Sequence, residues 1–454
     1  MIFLSFFPEI LLVLLILISL LLTAFGFLSR NVLPSMVSAA GAVGLCYFWV
    51  RNDLAFFSSE SFMLSSDSFS WFLRLVAMGV VAAFGMSLHF NRELSVAGKQ
   101  KSTLFLLFFA LFLCSLALAQ NLILLLVSAL GMYFCSMNII FLESGSDGNW
   151  VRVFRQKALW IATWMILVVA QTAVAISLFG SFKFATWAHA LSEVGFSHAG
   201  ASIWVVLVIM TGLLPFASMH HRGRAPLGLA ILILGQMFVV QAYWFKLGVP
   251  VLKGFSLVSN EMARALMGLL ISIISVRLGV FMVRTRDHHQ WYSAALPVTA
   301  GLILFTILLP SGQGVPAFFI LSSGLLLTLP LVAHAFSDEH YANKTLILIA
   351  LIALLGAPPL VMGDRYYQML QDLLSSGSAL AAVAAALIWL LAVLGSIQFI
   401  GRVLLVRSSK ENQRSFELGE AFFLAFYLIG MVTLSAFRLR IVSLLNAHPP
   451  LNLW

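Results

Sequence analysis

Three arginines stand inside long apolar runs: Arg74, Arg277 and Arg365. A charge in such a run costs about 2.5–3.5 kcal/mol to insert into a bilayer, so it survives where it pairs, reaches water or serves an ion route. Arg74, close behind Asp67 at the entrance of its run, is expected to snorkel. Arg277 and Arg365 need partners. Asp364 adjoins Arg365, but neighbours on a helix do not face each other, so each is free to reach separate water or headgroups. Glu417 and Glu420 sit near the boundary of another run. His220-His221 and His288-His289, beside Arg222 and Arg286, read as interfacial pairs rather than metal ligands. His334 and His340 flank the exit of one apolar run, placed to contact neighbouring chains. Cys46, Cys114 and Cys135 all lie in apolar sequence without CxxC or Cys/His spacing, which makes them packing residues. No Gly-rich phosphate loop, Ser/His/Asp set or Walker motif is present. The side chains at hand suit ion handling and not covalent catalysis.

The elements that carry them follow from composition. Of 454 residues, 61% are hydrophobic and 9% charged, and the mean hydropathy is +1.02. So little charge cannot cover a soluble surface, so the solvent is lipid. At roughly 20 residues per crossing, apolar runs give spans at 8–28, 32–50, 69–90, 103–119, 121–142, 157–180 and 202–220. Seven more follow at 226–246, 263–284, 291–310, 315–336, 345–371, 379–401 and 418–437. The fold class is thus an all-α polytopic membrane protein of about fourteen helices, a single domain over 1–454. The first ten residues carry no basic group, so the apolar stretch from Phe3 reads as the lead-in to the first span and not as a signal peptide.

The net charge of +9 comes from basic residues scattered through short loops, which fits orientation in a membrane and not nucleic-acid binding. Sixteen lysines and arginines fall on one set of loops and seven on the other. The positive-inside rule then puts both termini on the outer face, periplasmic in a bacterial inner membrane. A faint repeat is also visible. Gly212-Leu-Leu-Pro215 in the seventh span and Gly356-Ala-Pro-Pro359 in the twelfth occupy the fourth place of two five-span sets, 103–246 and 263–401. An offset of five spans inverts one set against the other, and paired helix breaks at Pro215, Pro358 and Pro359 are how transporter folds open a midplane path. Proline is also common in membrane helices without any such role.

Several stretches resemble a known family. Leu354-Leu355-Gly356-Ala357-Pro358-Pro359, then Gly363 and Arg365-Tyr366-Tyr367, is similar to the Gly-x-Pro-Pro stretch of the antiporter-like subunits of respiratory complex I. Pro215-Phe216 with Arg224-Ala225-Pro226 resembles that family's seventh span. Phe7-Pro8-Glu9-Ile10 and Asp67-Ser-Phe-Ser70 resemble two openings of its subunit N branch, and Tyr292-Ser293 with Thr299-Ala300-Gly301 faintly echoes its tenth span. The chain runs only seventeen residues past Phe437, whereas the L and M branches are longer.

The resemblance implies a membrane-arm subunit of a proton-translocating NADH–quinone oxidoreductase, surrounded by other membrane subunits and lipid. NADH, FMN, iron–sulfur clusters and quinone would then sit on other subunits. It also implies a proton relay of a fifth-span glutamate and lysines in spans seven, eight and twelve, because a buried lysine tuned by a carboxylate loads and unloads a proton. Here the glutamate position falls at Leu130 or Gly131, and the lysine positions fall at Met210, near Gln236, and at Arg365. A glutamine holds water but takes no proton near neutral pH, and arginine never gives its proton up. The chain's own channel is therefore expected to be degenerate, with a route rebuilt around Arg277, Asp364, Glu417 or Glu420 as the competing possibility. Two wider alternatives stay open. One is a subunit of a related hydrogenase or cation/proton antiporter complex, which neighbouring reading frames would reveal. The other is a stand-alone secondary transporter, which would solubilise alone.

Overall fold

The chain is an all-α polytopic membrane protein whose apolar runs become helices almost run for run. The computed structural model describes residues 6–24, 32–50, 57–59, 64–66, 68–91, 94–144, 149–181, 183–184, 186–187, 199–217, 225–248, 260–309, 311–337, 344–355, 361–405 and 418–436. In chain order the first helices are α1 (Phe7–Ala24), α2 (Val32–Val50), α3 (Ser68–Phe90), α4 (Val96–Leu118) and α5 (Leu122–Ser144). Then come α6 (Asn149–Phe179), α7 (Ala199–Ala217), α8 (Pro226–Tyr243), α9 (Asn260–Arg284) and α10 (His288–Leu304). The last are α11 (Ser311–Ser337), α12 (Lys344–Leu355), α13 (Val361–Ser375), α14 (Ala379–Leu405) and α15 (Leu418–Ala436). A π turn, Trp244–Gly248, extends α8, and a 3₁₀ turn, Phe305–Leu308, extends α10. Among the described residues ten helices are long and apolar enough to cross a bilayer, with shorter apolar pieces in α2, α7 and α15.

Local chemistry sets the boundaries. Asn121 separates α4 from α5, because its Oδ1 accepts the Leu124 amide at 2.8 Å as an N-cap. Ser95 caps α4 in the same way, accepting from Gly98 at 3.1 Å. That start lies well ahead of residue 103, so Lys99 and Lys101 are helical rather than in a loop. Lys99 is buried, and its ammonium donates to the His89 carbonyl at 2.9 Å. Likewise α6 begins at Asn149 and takes up Arg152, Arg155 and Lys157.

Three further departures from expectation have physical causes. The twelfth span, read as 345–371 with a break at Pro358 and Pro359, holds two described helices, α12 and α13; the two prolines fall between them, outside the described residues. The polar residues Asp364, Arg365, Gln368 and Asp372 make α13 amphipathic instead of uniformly apolar. Between α2 and α3 lies a short antiparallel hairpin, β1 (Phe57–Ser59) with β2 (Leu64–Ser66), in the register Phe57 opposite Ser66. Arg74, finally, does not snorkel. It is fully buried, and its Nε and Nη2 donate to Glu9 Oε1 at 2.6 Å and Oε2 at 2.8 Å. A bidentate pair matches the guanidinium fork to a carboxylate, and here it ties α1 to α3.

The core is centred on α3, α8, α10 and α11, which are buried over most of their length, while α1, α6, α9 and α14 stay largely exposed. Phe72 of α3 meets Phe319 and Phe318 of α11 and Phe238 of α8, with ring centroids 3.8, 6.0 and 6.4 Å away. These contacts join the early and late helices in one body. Removing one member of a buried ion pair costs about 3–5 kcal/mol because it strands the other charge. Glu9→Gln is therefore expected to lower the melting temperature of the solubilised protein markedly, with Glu9→Leu/Arg74→Leu recovering most of the loss. Thermal unfolding followed by dye fluorescence checks both.

Candidate ion passage

α7 runs on through Pro215, which has no amide to donate to the carbonyl four residues earlier, on Thr211. At membrane depth no water is at hand, so the orphaned acceptor has to be met by another helix. The Trp164 indole of α6 meets it, donating to the Thr211 carbonyl at 2.9 Å. One residue on, the Trp244 indole in the π turn after α8 donates to the Gly212 carbonyl at 3.2 Å. The proline thus pins α6, α7 and α8 together at one level.

Beside this junction a narrow cleft opens between α5, α6, α7 and α8. Leu130, Tyr133 and Ser136 of α5 line it, with Trp160 and Trp164 of α6, Pro215 of α7 and Gln236 of α8. Gln236 stands midway along the Pro226–Leu247 apolar span, so the cleft lies level with the middle of that span. Tyr133 turns a buried hydroxyl that has no hydrogen-bond partner among the described residues. Deeper in, the Tyr243 hydroxyl lies 2.9 Å from both Gln171 Oε1 and the Val208 carbonyl, either of which accepts its proton. Gln241, fully buried on α8, has neither amide atom bonded among the described residues. All of these groups are neutral near pH 7.

The structure thus brings three of the sequence-chosen positions, Leu130, Pro215 and Gln236, into one cleft. Gly131 faces the other way, where an added Cβ would lie 2.5 Å from the Phe112 ring of α4. Met210 lies on the outer face of α7, 51% exposed, while Thr211 is fully buried. One residue is about 100° around a helix, enough to turn the seventh-span position from lipid to interior. Arg365 lies elsewhere, on α13, which packs on α11, α12 and α14. Its Nη1 donates to Gln368 Oε1 at 2.6 Å, and Gln368 Nε2 donates to Asp364 Oδ2 at 3.2 Å, so a glutamine bridges the two charges. Arg277 is exposed on α9. His334 is half-buried and lines a small cleft with Ser87, Asn91 and Leu227, turned inward rather than toward a neighbour. Glu417, His220, His221 and His340 lie outside the described residues, as do the side chains of His288 and His289.

Sequence reasoning missed the charged groups that are buried near the helix ends. Glu143, one residue beyond the predicted fifth span, accepts the Leu227 amide at 3.1 Å and the Gly228 amide at 2.8 Å. A carboxylate there satisfies free amides and the positive end of the α8 dipole. Lys246 answers it at the other end, donating to the Ala117 carbonyl and to Ala119 at 2.8 Å, the last carbonyls of α4. The fully buried charged side chains among the described residues are Arg74, Lys99, Glu143, Lys157 and Glu420. Each lies within five residues of the end of its apolar stretch: Arg74 in Ser70–Phe90, Lys99 in Val96–Leu118, Glu143 in Leu122–Ser144, Lys157 in Lys157–Phe179 and Glu420 in Glu420–Ala436.

A proline-pinned helix junction beside a neutral cleft, in a bundle of apolar helices, defines a polytopic helical membrane protein. No protein-family model matches the chain, and no curated protein matches it by sequence. Solved structures do. A chain of respiratory complex I from Thermus thermophilus with bound NADH superposes with a TM-score of 0.76 at 13% identity, over 98% of both chains. A chain of the archaeal membrane-bound sulfane sulfur reductase gives 0.77 at 12% identity, over 97% of both. A chain of the Mrp complex from Dietzia sp. DQ12-45-1b gives 0.69 at 16% identity, over 97% of this chain and 51% of that one. The chain therefore has the fold of these antiporter-like membrane subunits.

Trp164→Phe keeps the ring but removes the donor, leaving the Thr211 carbonyl unmet at a cost of about 1–3 kcal/mol. The expected result is a lower melting temperature, with no comparable loss for Trp160→Phe.

Proposed function

We propose that this chain is a membrane-arm subunit of a proton-translocating NADH–quinone oxidoreductase, of the subunit N branch, whose own channel no longer loads protons. The full-length likeness to a complex I chain supports the assembly. The neutral midplane supports the second half of the reading, and it is the observation that carries it: every fully buried charge among the described residues lies near a span end, and the central group is Gln236. A relay needs a group that takes and releases a proton at mid-depth, and an amide does neither near pH 7. Arg365 contributes a fixed positive charge on α13. The chain then serves as structure and as a coupling element, while NADH, FMN, iron–sulfur clusters and quinone act on other subunits.

The same reading gives fourteen crossings, with α12 and α13 as one broken span. They form two inverted sets, α4–α8 and α9–α14, and both termini are periplasmic in a bacterial inner membrane. The loop bias of sixteen basic residues against seven supports that orientation. A second reading has a specific observation behind it: the sulfane sulfur reductase chain superposes as well as the complex I chain does. Under it the chain belongs to a related respiratory or antiporter complex, and the subunits that co-purify with it decide.

The test is proton-to-electron stoichiometry in membrane vesicles. Complexes carrying Gln236→Leu with Tyr133→Phe are expected to pump as the wild type does, and a loss of one full pump unit would overturn the reading. Leu130→Glu with Met210→Lys is expected to add nothing, since the new lysine would stand on the outer face of α7.

A further inference from the structure

Arg277 is the eighteenth residue of α9, about 7–8 Å past the helix midpoint and about 10 Å short of Arg284 at 1.5 Å per residue. It is exposed, and it makes no hydrogen bond or ion pair among the described residues. Helical side chains lean toward the N-terminal end of their helix. The guanidinium is therefore directed away from the nearer rim at Arg284, some 10 Å off, and toward the deeper part of the bilayer. Snorkelling, which rescues a lysine or arginine near a helix end, is not open to it from there.

The surroundings are a prepared apolar face. Leu269 and Ile273 precede Arg277 at four-residue steps, so the three form one stripe along α9, with the leucine and isoleucine 57% and 58% exposed. Alongside runs a second stripe, Val383, Leu387 and Leu390 of α14. Gly268 and Gly279 let the two helices close up against Ala381 and Leu391, and Arg277, about half a turn around α9 from both glycines, points away from that seam. An aliphatic stripe that carries one cation is complementary to a helix that is aliphatic with one anion.

We infer that the outer face of α9 docks a transmembrane helix of another subunit, and that this helix carries an aspartate or glutamate opposite Arg277. A lipid phosphate has the right charge but stays at the headgroup level, about 10 Å off on the side from which the guanidinium leans away. This inference rests on the chain being one member of a membrane assembly.

The experiment uses the intact complex in native membranes. A benzophenone amino acid replaces Ile273 and is cross-linked by light, and the joined peptide is sequenced. The expected product is an apolar span of a different subunit with an acid within one helical turn of the joined residue. Arg277→Gln is expected to lower recovery of the chain in the assembled complex by at least ~tenfold, with Arg277→Lys retaining it. Arg277→Glu combined with acid→Arg in the partner is expected to restore it. Removing the charge eases insertion of α9, so an unchanged amount of chain in the membrane separates lost docking from misfolding. A cross-link to lipid, to a second copy of this chain or to a span without an acid would refute the inference, as would full assembly of Arg277→Gln. A wild-type chain that migrates alone after mild solubilisation would sink the assembly reading as well, which distinguishes the two failures.

Discussion

Lipid offers a polypeptide no hydrogen-bond partners, so each amide and carbonyl at membrane depth has to find one inside the protein. That constraint explains more of this structure than any single side chain does. Pro215 releases the Thr211 carbonyl, and Trp164 is drawn to it across the α6–α7 interface. Glu143 collects two amides at the start of α8, and Lys246 collects two carbonyls at the end of α4. Each tie links helices that are distant in sequence, so backbone satisfaction and tertiary packing are here the same event.

Charge follows the same logic with the sign of the penalty changed. Burying an ion demands a partner, and helix ends are where backbone partners are free. The buried lysines and glutamates accordingly stand near the ends of their apolar stretches, and the one ion pair among the described residues, Glu9 with Arg74, is mutually neutralised. What remains at the centre of the α5–α8 cleft is a set of amides and hydroxyls, able to orient a proton's neighbours without exchanging one.

Much of the fold was legible in the sequence, because lipid forces an apolar run and a helix to coincide. The boundaries of α2, α5 and α15 fell within two residues of the apolar runs that predicted them. The early starts of α4 and α6 were hidden, since lysine, arginine and glutamine are good helix formers that hydropathy scores as loop. The Glu9 partner of Arg74 was hidden by 65 residues of separation. For the cleft, resemblance named Leu130, Pro215 and Gln236 singly, and the fold lines one cleft with all three. It could not choose between Met210 and Thr211, because a register error of one residue leaves an apolar pattern almost unchanged while rotating the side chain by more than a quarter turn.

The amphipathic character of α13 bears on how the chain enters the membrane. With two aspartates and an arginine in fifteen residues, α13 is a poor substrate for insertion by itself, since each such residue disfavours partition at mid-bilayer. Yet it is joined to strongly apolar α14 by a tight turn. Gly377 adopts φ +80, its amide donates to Leu374 at 3.2 Å, and Ser378 donates to Leu373 at 3.0 Å, which closes the helix end. Biosynthesis thus has reason to treat α13 and α14 as one hairpin, the second arm drawing the first down against α11, which is already in place. Late helices of this protein would settle only after early ones had built the surface that receives them.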